Sequence, residues 1–187
     1  MKRARVKALL LDQVSNVPVV ILEVEGTDRV IPIWIGPCEA YALGMALEGV
    51  KTERPLTHDL IFNIMESLDV EIDSVVIHTV KDNTFYAKLI LKDLAFVDET
   101  GESEVPLIEV DARPSDSMIL AVKRGIPIYV SNEVIEEHSI PLFSLQIEGE
   151  EGEDEDEKFK KFIENLDIDA FKKFLEGKGE EEEGEEE

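Results

Sequence analysis

Two helices of this chain are predicted to begin with the same short phrase, and this repetition constrains the fold more than any other feature. The stretches ERPLTHDLIFNIM, from Glu53, and ARPSDSMILAV, from Ala112, each place Arg-Pro before a hydroxyl residue, an Asp and an apolar run at helical spacing. Because the residue before a proline is biased away from the helical conformation, each phrase predicts that an extended segment ends and a helix begins there. Each boundary carries both an Arg and an Asp.

The segments between these boundaries have the pattern of strands and turns. The runs VKALLLDQV, VPVVILEVEG and RVIPIWIG predict an antiparallel meander, in which Pro32 marks an edge strand or an irregular one. A long hairpin is predicted after the second helix, with Asp82 and Asn83 as its turn, and IPIYV predicts a last short strand. The predicted fold is α+β, a mainly antiparallel sheet packed with about three helices.

The predicted helices differ in their apolar patterns. In the first, GPCEAYALGMALEGV, Pro37 suits the first turn and Gly49 suits the exit. Its small residues allow close packing, which would serve a core or a dimer contact equally well. In the second helix Thr57 is the predicted N-cap. The predicted buried stripe of that helix consists of Leu60, Ile61, Ile64, Met65 and Leu68.

Charge divides the chain into two parts. Residues 1–147 carry 13 Lys and Arg against 24 Asp and Glu, whereas residues 148–187 carry 6 against 19, so the second part holds more than half of the net charge of -24. Residues 1–147 are therefore predicted to form a single domain. Residues 148–187 are predicted to form an acidic linker, short amphipathic helices within KFKKFIENLDIDAFKKFLEG and a disordered poly-Glu end.

The acidity and the cysteine count restrict partners and location. Nucleic-acid affinity comes largely from Lys and Arg side chains that neutralise phosphates, so this chain is repelled by DNA and RNA unless a local basic patch overrides the net field. Cys38 is the only cysteine, which excludes an intrachain disulfide and fits a reducing cytoplasm. No apolar stretch reaches the length of a membrane span, and no signal-peptide pattern opens the sequence. We expect a cytoplasmic protein that does not enter membranes.

The two Arg-Pro phrases have a structural interpretation that requires no catalysis. In it Thr57 and Ser115 cap the helices, and each Asp interacts favourably with the helix dipole. Capping does not need Arg, however. It also does not account for His58, which lies in a first helical turn, where positive charge is disfavoured and a neutral ring is suited.

The chemical interpretation is metal-assisted phosphodiester hydrolysis. Hard divalent ions such as Mg²⁺ or Mn²⁺ take oxygen ligands and activate water, and guanidinium groups bind phosphate in a bidentate manner. The candidate catalytic residues are His58, Asp59 and Asp116, with the histidine as general base or ligand. The candidate metal ligands are Glu39, Asp111 and Asp116. The candidate substrate-binding residues are Arg54 and Arg113.

The alternative function is a non-enzymatic, dimeric interaction or regulatory module. In this hypothesis the Arg–Asp pairs are structural ion-pair junctions, and the small-residue helix forms a homodimer. The acidic tail contacts a basic partner, or covers the basic N-terminal run MKRARVK. A net charge of -11 for residues 1–147, from 13 basic and 24 acidic residues, favours this hypothesis over avid nucleic-acid binding.

Four phrases in order, IWIGPCEA, RPLTHDL, TFYAKL and DARPSDSMILAV, resemble the bifunctional nuclease domain family over residues 7–131. The resemblance implies an α+β domain, often dimeric, with DNase and RNase activity, so nucleic acid is the implied partner. The C-terminal helical module that some members share with excision-repair proteins has no counterpart here. The family's motif positions fall on Glu39, Arg54, Pro55, Thr57, His58, Asp59, Asp111, Arg113, Pro114, Ser115 and Asp116.

Overall fold

The structure is a computed structural model that describes residues 1–12, 15–96 and 106–144. The predicted tail at 148–187 and the boundary at 147 lie outside these ranges. No helix within them is both long and apolar enough to cross a membrane. In chain order the elements are β1 (Lys2–Leu11), β2 (Pro18–Val24), β3 (Arg29–Trp34), α1 (Pro37–Leu47), α2 (Thr57–Ser67), β4 (Val70–Lys81), β5 (Thr84–Asp93), β6 (Leu107–Ala112), α3 (Pro114–Arg124), β7 (Ile128–Val130), α4 (Asn132–His138), β8 (Ile140–Pro141) and a 3₁₀ turn (Leu142–Ser144).

The strands of the described ranges form one sheet in the order β6-β5-β4-β7-β1-β2-β3-β8. Neighbouring strands are antiparallel except β4 and β7, which are parallel. The short strand β7 joins two halves of the sheet, because it pairs with β1 on one side and with β4 on the other. The predicted α+β class, with a mainly antiparallel sheet, is confirmed.

Local predictions for the turns and the edge are also confirmed. Asp82 and Asn83 close the β4-β5 hairpin with positive φ values of 49° and 58°, as tight hairpin turns require. Strand β8 pairs with β3 only at Arg29 and Val30. At Pro32, β3 therefore has a neighbour on one side alone, and the missing N–H of proline interrupts no ladder on the other side.

The small residues of α1 serve the core. Helix α1 packs against α3, and Ala40, Gly44 and Ala46 are buried within this single chain. Small side chains let two helix backbones approach closely, which explains their spacing. Of the two predicted uses, core packing and a dimer contact, the structure has the first, and the dimer contact stays a prediction.

The predicted buried stripe of α2 is wrong for Leu60, Ile64 and Leu68, each of which is more than half exposed. The sequence of α2 is apolar on most of its circumference, so spacing alone did not identify the face that meets the sheet. Phe62 is the buried side chain, and Arg124 covers its ring at 4.7 Å from the centroid. His58 lies four residues before Phe62, on the same helical face, and is thereby directed inward.

Candidate active site

Both Arg-Pro phrases begin helices, but the predicted hydroxyl caps are wrong. The N-cap residue of α2 is Leu56 and that of α3 is Arg113, and neither Thr57 nor Ser115 caps its helix. In α3 the proline takes the first helical position, which moves Ser115 into the first turn, where it is buried. In α2 the carboxylate of Asp59 accepts the Leu56 N–H at 3.1 Å and satisfies one free backbone donor.

The first turns of α1, α2 and α3 meet in a cluster of four side chains. Glu39 comes from α1, His58 from α2, and Arg113 and Asp116 from the start of α3. We call these four residues the helix-start cluster. Since the positive ends of three helix dipoles meet here, the site favours negative charge, which explains how two carboxylates are accommodated.

Arg113 is the centre of the helix-start cluster. Its Nε donates to Asp116 Oδ2 at 2.7 Å and its Nη2 to Asp116 Oδ1 at 3.2 Å, a bidentate pair within α3. Its Nη1 donates to Glu39 Oε1 at 2.7 Å, across 74 positions of sequence. The guanidinium therefore ties α1 to α3, although the side chain is 64% exposed. These carboxylates raise the pKa of Arg113 above its ordinary range, with Asp116 as the larger cause.

His58 contacts the same aspartate from the other side. Its Nε2 lies 3.2 Å from Asp116 Oδ1, and its side chain is only 12% exposed. Burial raises the pKa of Asp116, but the hydrogen bonds from Arg113 and His58 outweigh it, so the pKa lies below the ordinary 3.8. An ionised carboxylate only accepts hydrogen bonds, so His58 must carry its proton on Nε2 for this contact to form. In the neutral ring, Nδ1 then carries the lone pair that can accept a proton.

The glycine that precedes α1 leaves room for the Glu39 carboxylate. Its carboxylate folds back toward Gly36, where an added Cβ would collide with Oε2. Gly36 has an ordinary φ of -70°, so the need for glycine here is space and not backbone conformation. The sequence analysis missed Gly36, since nothing in the local pattern distinguishes it from an ordinary loop glycine.

Asp59 contacts the last turn of α3 and not the first turn, where Asp116 lies. Its Oδ1 accepts from Lys123 Nζ at 2.8 Å, while Oδ2 accepts the Leu56 N–H. The Lys123 hydrogen bond is the main cause that lowers the pKa of Asp59; burial opposes it and the Leu56 N–H supports it. Lys123 lies in the last turn of α3, and a partner 64 positions away leaves no local signal in the sequence.

Two predicted site residues stand apart from the helix-start cluster. Arg54 lies exposed in the loop before α2, four positions before His58, and forms no side-chain hydrogen bond or ion pair with any residue that the structure describes. Asp111 is exposed on β6, opposite Lys88 of β5. The sequence placed both within motif phrases, but among the described residues neither side chain forms a hydrogen bond or ion pair with the helix-start cluster.

The three predicted metal ligands do not fit a ready-made metal centre. Oxygen atoms of Glu39 and Asp116 already accept hydrogen bonds from Arg113, so a cation between them would have to displace the guanidinium. Asp111 makes no contact with either. Within residues 1–12, 15–96 and 106–144, no three or more His, Cys, Asp or Glu side chains are grouped to hold an ion.

The fold and the site together define an α+β domain in which three helix starts meet at one His–Asp–Arg–Glu cluster. The chain belongs to the bifunctional nuclease domain family, since the model of the bifunctional nuclease domain matches residues 20–143. That range includes the whole helix-start cluster, and it confirms the resemblance that the motif phrases indicated.

Relatives of two kinds are similar to this chain, and those from plants are named bifunctional nucleases. An uncharacterized protein of Mycobacterium tuberculosis is 37% identical over 175 residues, which cover 92% of this chain and 99% of the relative. Bifunctional nuclease 1 of Oryza sativa subsp. japonica is 23% identical over 125 residues, 67% of this chain and 36% of the relative. Bifunctional nuclease 1 of Arabidopsis thaliana is 25% identical over 115 residues, 61% of this chain and 33% of the relative. The match thus spans about a third of the plant proteins.

Proposed function

We propose that this protein is a nuclease that hydrolyses phosphodiester bonds of DNA, RNA or both, with its active site at the helix-start cluster. The observation that carries the proposal is the contact between His58 Nε2 and Asp116 Oδ1 at 3.2 Å. It supplies a histidine with a fixed proton position inside a domain of the bifunctional nuclease family. The plant relatives named bifunctional nuclease 1 support the same reaction class.

In the proposed reaction His58 is the general base and Asp116 orients it. A water oxygen attacks the phosphorus while its proton passes to Nδ1 of His58. The bond from phosphorus to the leaving sugar oxygen breaks, and that oxygen takes a proton from solvent. The imidazolium formed on His58 is stabilised by the ionised carboxylate of Asp116 until it returns its proton to solvent.

The two arginines have different roles in this proposal. Arg54 is exposed and close in sequence to His58, so it binds a substrate phosphate. Arg113 uses three of its five N–H donors on Glu39 and Asp116, which leaves two for phosphate. Its main contribution is then to keep Asp116 ionised and in place.

We also propose that cleavage depends on Mg²⁺ or Mn²⁺, which a cleavage assay with and without EDTA tests. The carboxylates of Glu39 and Asp116 are bound by Arg113, so they would hold a metal ion only if the guanidinium moved aside. Cleavage that EDTA abolishes and Mg²⁺ or Mn²⁺ restores would support metal dependence. Cleavage that persists in EDTA would leave His58 and Asp116 as the groups that activate water.

The test compares purified full-length protein with His58→Ala, Asp116→Asn and a matched control, His138→Ala. The control also removes an imidazole, but from α4, where the ring packs against Phe85. On plasmid DNA and single-stranded RNA, we expect the two site variants to lose about 10²–10³-fold in rate, the scale of general acid–base catalysis. His138→Ala should retain the wild-type rate. Equal cleavage by His58→Ala and wild type would contradict the proposed site.

One observation favours the second candidate function, a non-enzymatic interaction module. Arg113 joins Glu39 and Asp116 as a structural ion-pair junction would, and this arrangement needs no substrate. In this case the protein acts as a homodimer and its acidic tail binds a basic partner. Analytical ultracentrifugation that shows a monomer at high micromolar concentration would remove the dimer, and an absence of cleavage by wild type would favour the module over the nuclease.

A further inference from the structure

A second ion pair lies beside the helix-start cluster, between α2 and α3. Lys123 Nζ donates to Asp59 Oδ1 at 2.8 Å, and the Lys123 side chain is only 16% exposed. Lysine is seldom so covered unless it is paired, because its ammonium group is strongly hydrated in water. This pair is therefore part of the helix contact and not a solvated surface interaction.

Both carboxylate oxygens of Asp59 are used for anchoring. One accepts from Lys123 of α3, and the other accepts the backbone N–H of Leu56, at the N-cap of α2. The side chain thus fastens the first turn of α2 to its own start and to the neighbouring helix at once. Each carboxylate oxygen thus already accepts one hydrogen bond, and both of these bonds anchor the turn. The catalytic role that the sequence predicted for Asp59 stays a prediction.

His58 is the neighbour of Asp59 in the same helical turn, so the position of that turn decides where its ring lies. The contact of its Nε2 with Asp116 Oδ1, at 3.2 Å, is already near the long end of a hydrogen bond. A displacement of α2 by about 1 Å would break it, and misplacement of that size is costly in catalysis.

We propose that Lys123 and Asp59 are positioning residues, which hold the first turn of α2 against α3 so that His58 meets Asp116. As far as cleavage is concerned, this inference rests on the proposed nuclease function. The arrangement of His58 itself does not depend on that function and is measured separately.

The same helix pair offers a matched control. Arg124 follows Lys123 on α3, and its Nη2 donates to Glu66 Oε1 at 2.8 Å, near the other end of α2. Both Lys123→Met and Arg124→Met remove one cation and one α2–α3 ion pair, and Arg124→Met also removes the guanidinium that covers the Phe62 ring. Only Lys123→Met releases the turn that carries His58.

The experiment measures cleavage kinetics and the His58 ring signals by ¹H–¹⁵N NMR in both variants of the full chain. We expect Lys123→Met to lower kcat about tenfold or more with KM within about twofold, because misplacement affects the chemical step. The Nε2–H signature of His58 should weaken in the same variant. Arg124→Met should change neither readout, and Lys123→Arg should restore both.

Two further outcomes keep this inference separate from the nuclease proposal. If wild type does not cleave, the His58 signals still test the positioning role, which stands if they change in Lys123→Met and not in Arg124→Met. If Lys123→Met does not fold, Asp59→Asn replaces it, since the amide oxygen still accepts the Leu56 N–H while the charge is lost. Identical His58 signals in wild type and in the folded variant would overturn the inference.

Discussion

Replacing Arg113 with alanine is the most direct test of the helix-start cluster. The substitution removes three hydrogen bonds to carboxylates, at 2.7, 3.2 and 2.7 Å. A hydrogen bond to a charged group contributes about 1.5–3 kcal/mol in a protected site, but the Arg113 side chain is 64% exposed, which weakens all three. We expect a total loss of about 1–2 kcal/mol. For a chain of this size that lowers Tm by about 2–8 °C.

The assay is thermal unfolding followed by circular dichroism, with Arg3→Ala as the control. Arg3 also forms an ion pair, with Glu25 at 3.8 Å, but on an exposed strand, so its loss should stay within about 0.5 kcal/mol. A carboxyl NMR titration should show the pKa of Asp116 rising toward its ordinary value in Arg113→Ala, because Arg113 lowers it. A Tm loss no larger than that of Arg3→Ala, with the pKa of Asp116 unchanged, would refute the reasoning.

Three further predictions concern stability. The pKa of Asp116 is lowered in the folded state, so ionised Asp116 stabilises the fold above pH 3.8. This stabilisation is lost as the pH falls through the folded-state pKa. The difference in Tm between wild type and Asp116→Asn should therefore close in that acidic range. Gly36→Ala should displace the Glu39 carboxylate and cost about as much as Glu39→Gln, roughly 1 kcal/mol or less, and the double variant should lose no more than either single one. In urea unfolding, exposed Leu60→Gln should change the unfolding free energy by less than about 0.5 kcal/mol, whereas buried Phe62→Ala should lower it by about 3–5 kcal/mol. Similar losses in both variants would contradict the orientation of α2.

The elements whose cause is local could be predicted from the sequence. Proline after an extended segment predicted both helix starts, and the Asp82-Asn83 pair predicted the hairpin turn, because each residue restricts its own backbone. The hydroxyl caps were predicted wrongly. In α3 Pro114 takes the first helical position, and α2 has Leu56 as its N-cap, whose backbone N–H is accepted by the Asp59 carboxylate.

The contacts between helices could not be predicted from the sequence. Arg113 meets Glu39 across 74 positions, and His58 meets Asp116 across 58, so these pairs exist only once the sheet sets the helices side by side. The two motif phrases indicated which residues to consider. They did not indicate that Asp59 would turn toward Lys123 while Asp116 received both the histidine and the arginine.

The position of β7 in the sheet has a consequence for how the protein is made. This three-residue strand links the two halves of the sheet, and it pairs Lys2 with Val130, almost at opposite ends of the described residues. Contacts between such distant positions form late, after the cost of closing the long loop has been met. On the ribosome, the β1-β2-β3 half can form early, but it cannot join the other half until residue 130 has left the exit tunnel. A nascent chain shorter than this can contain all four residues of the helix-start cluster, but it lacks the joined sheet that sets their helices side by side.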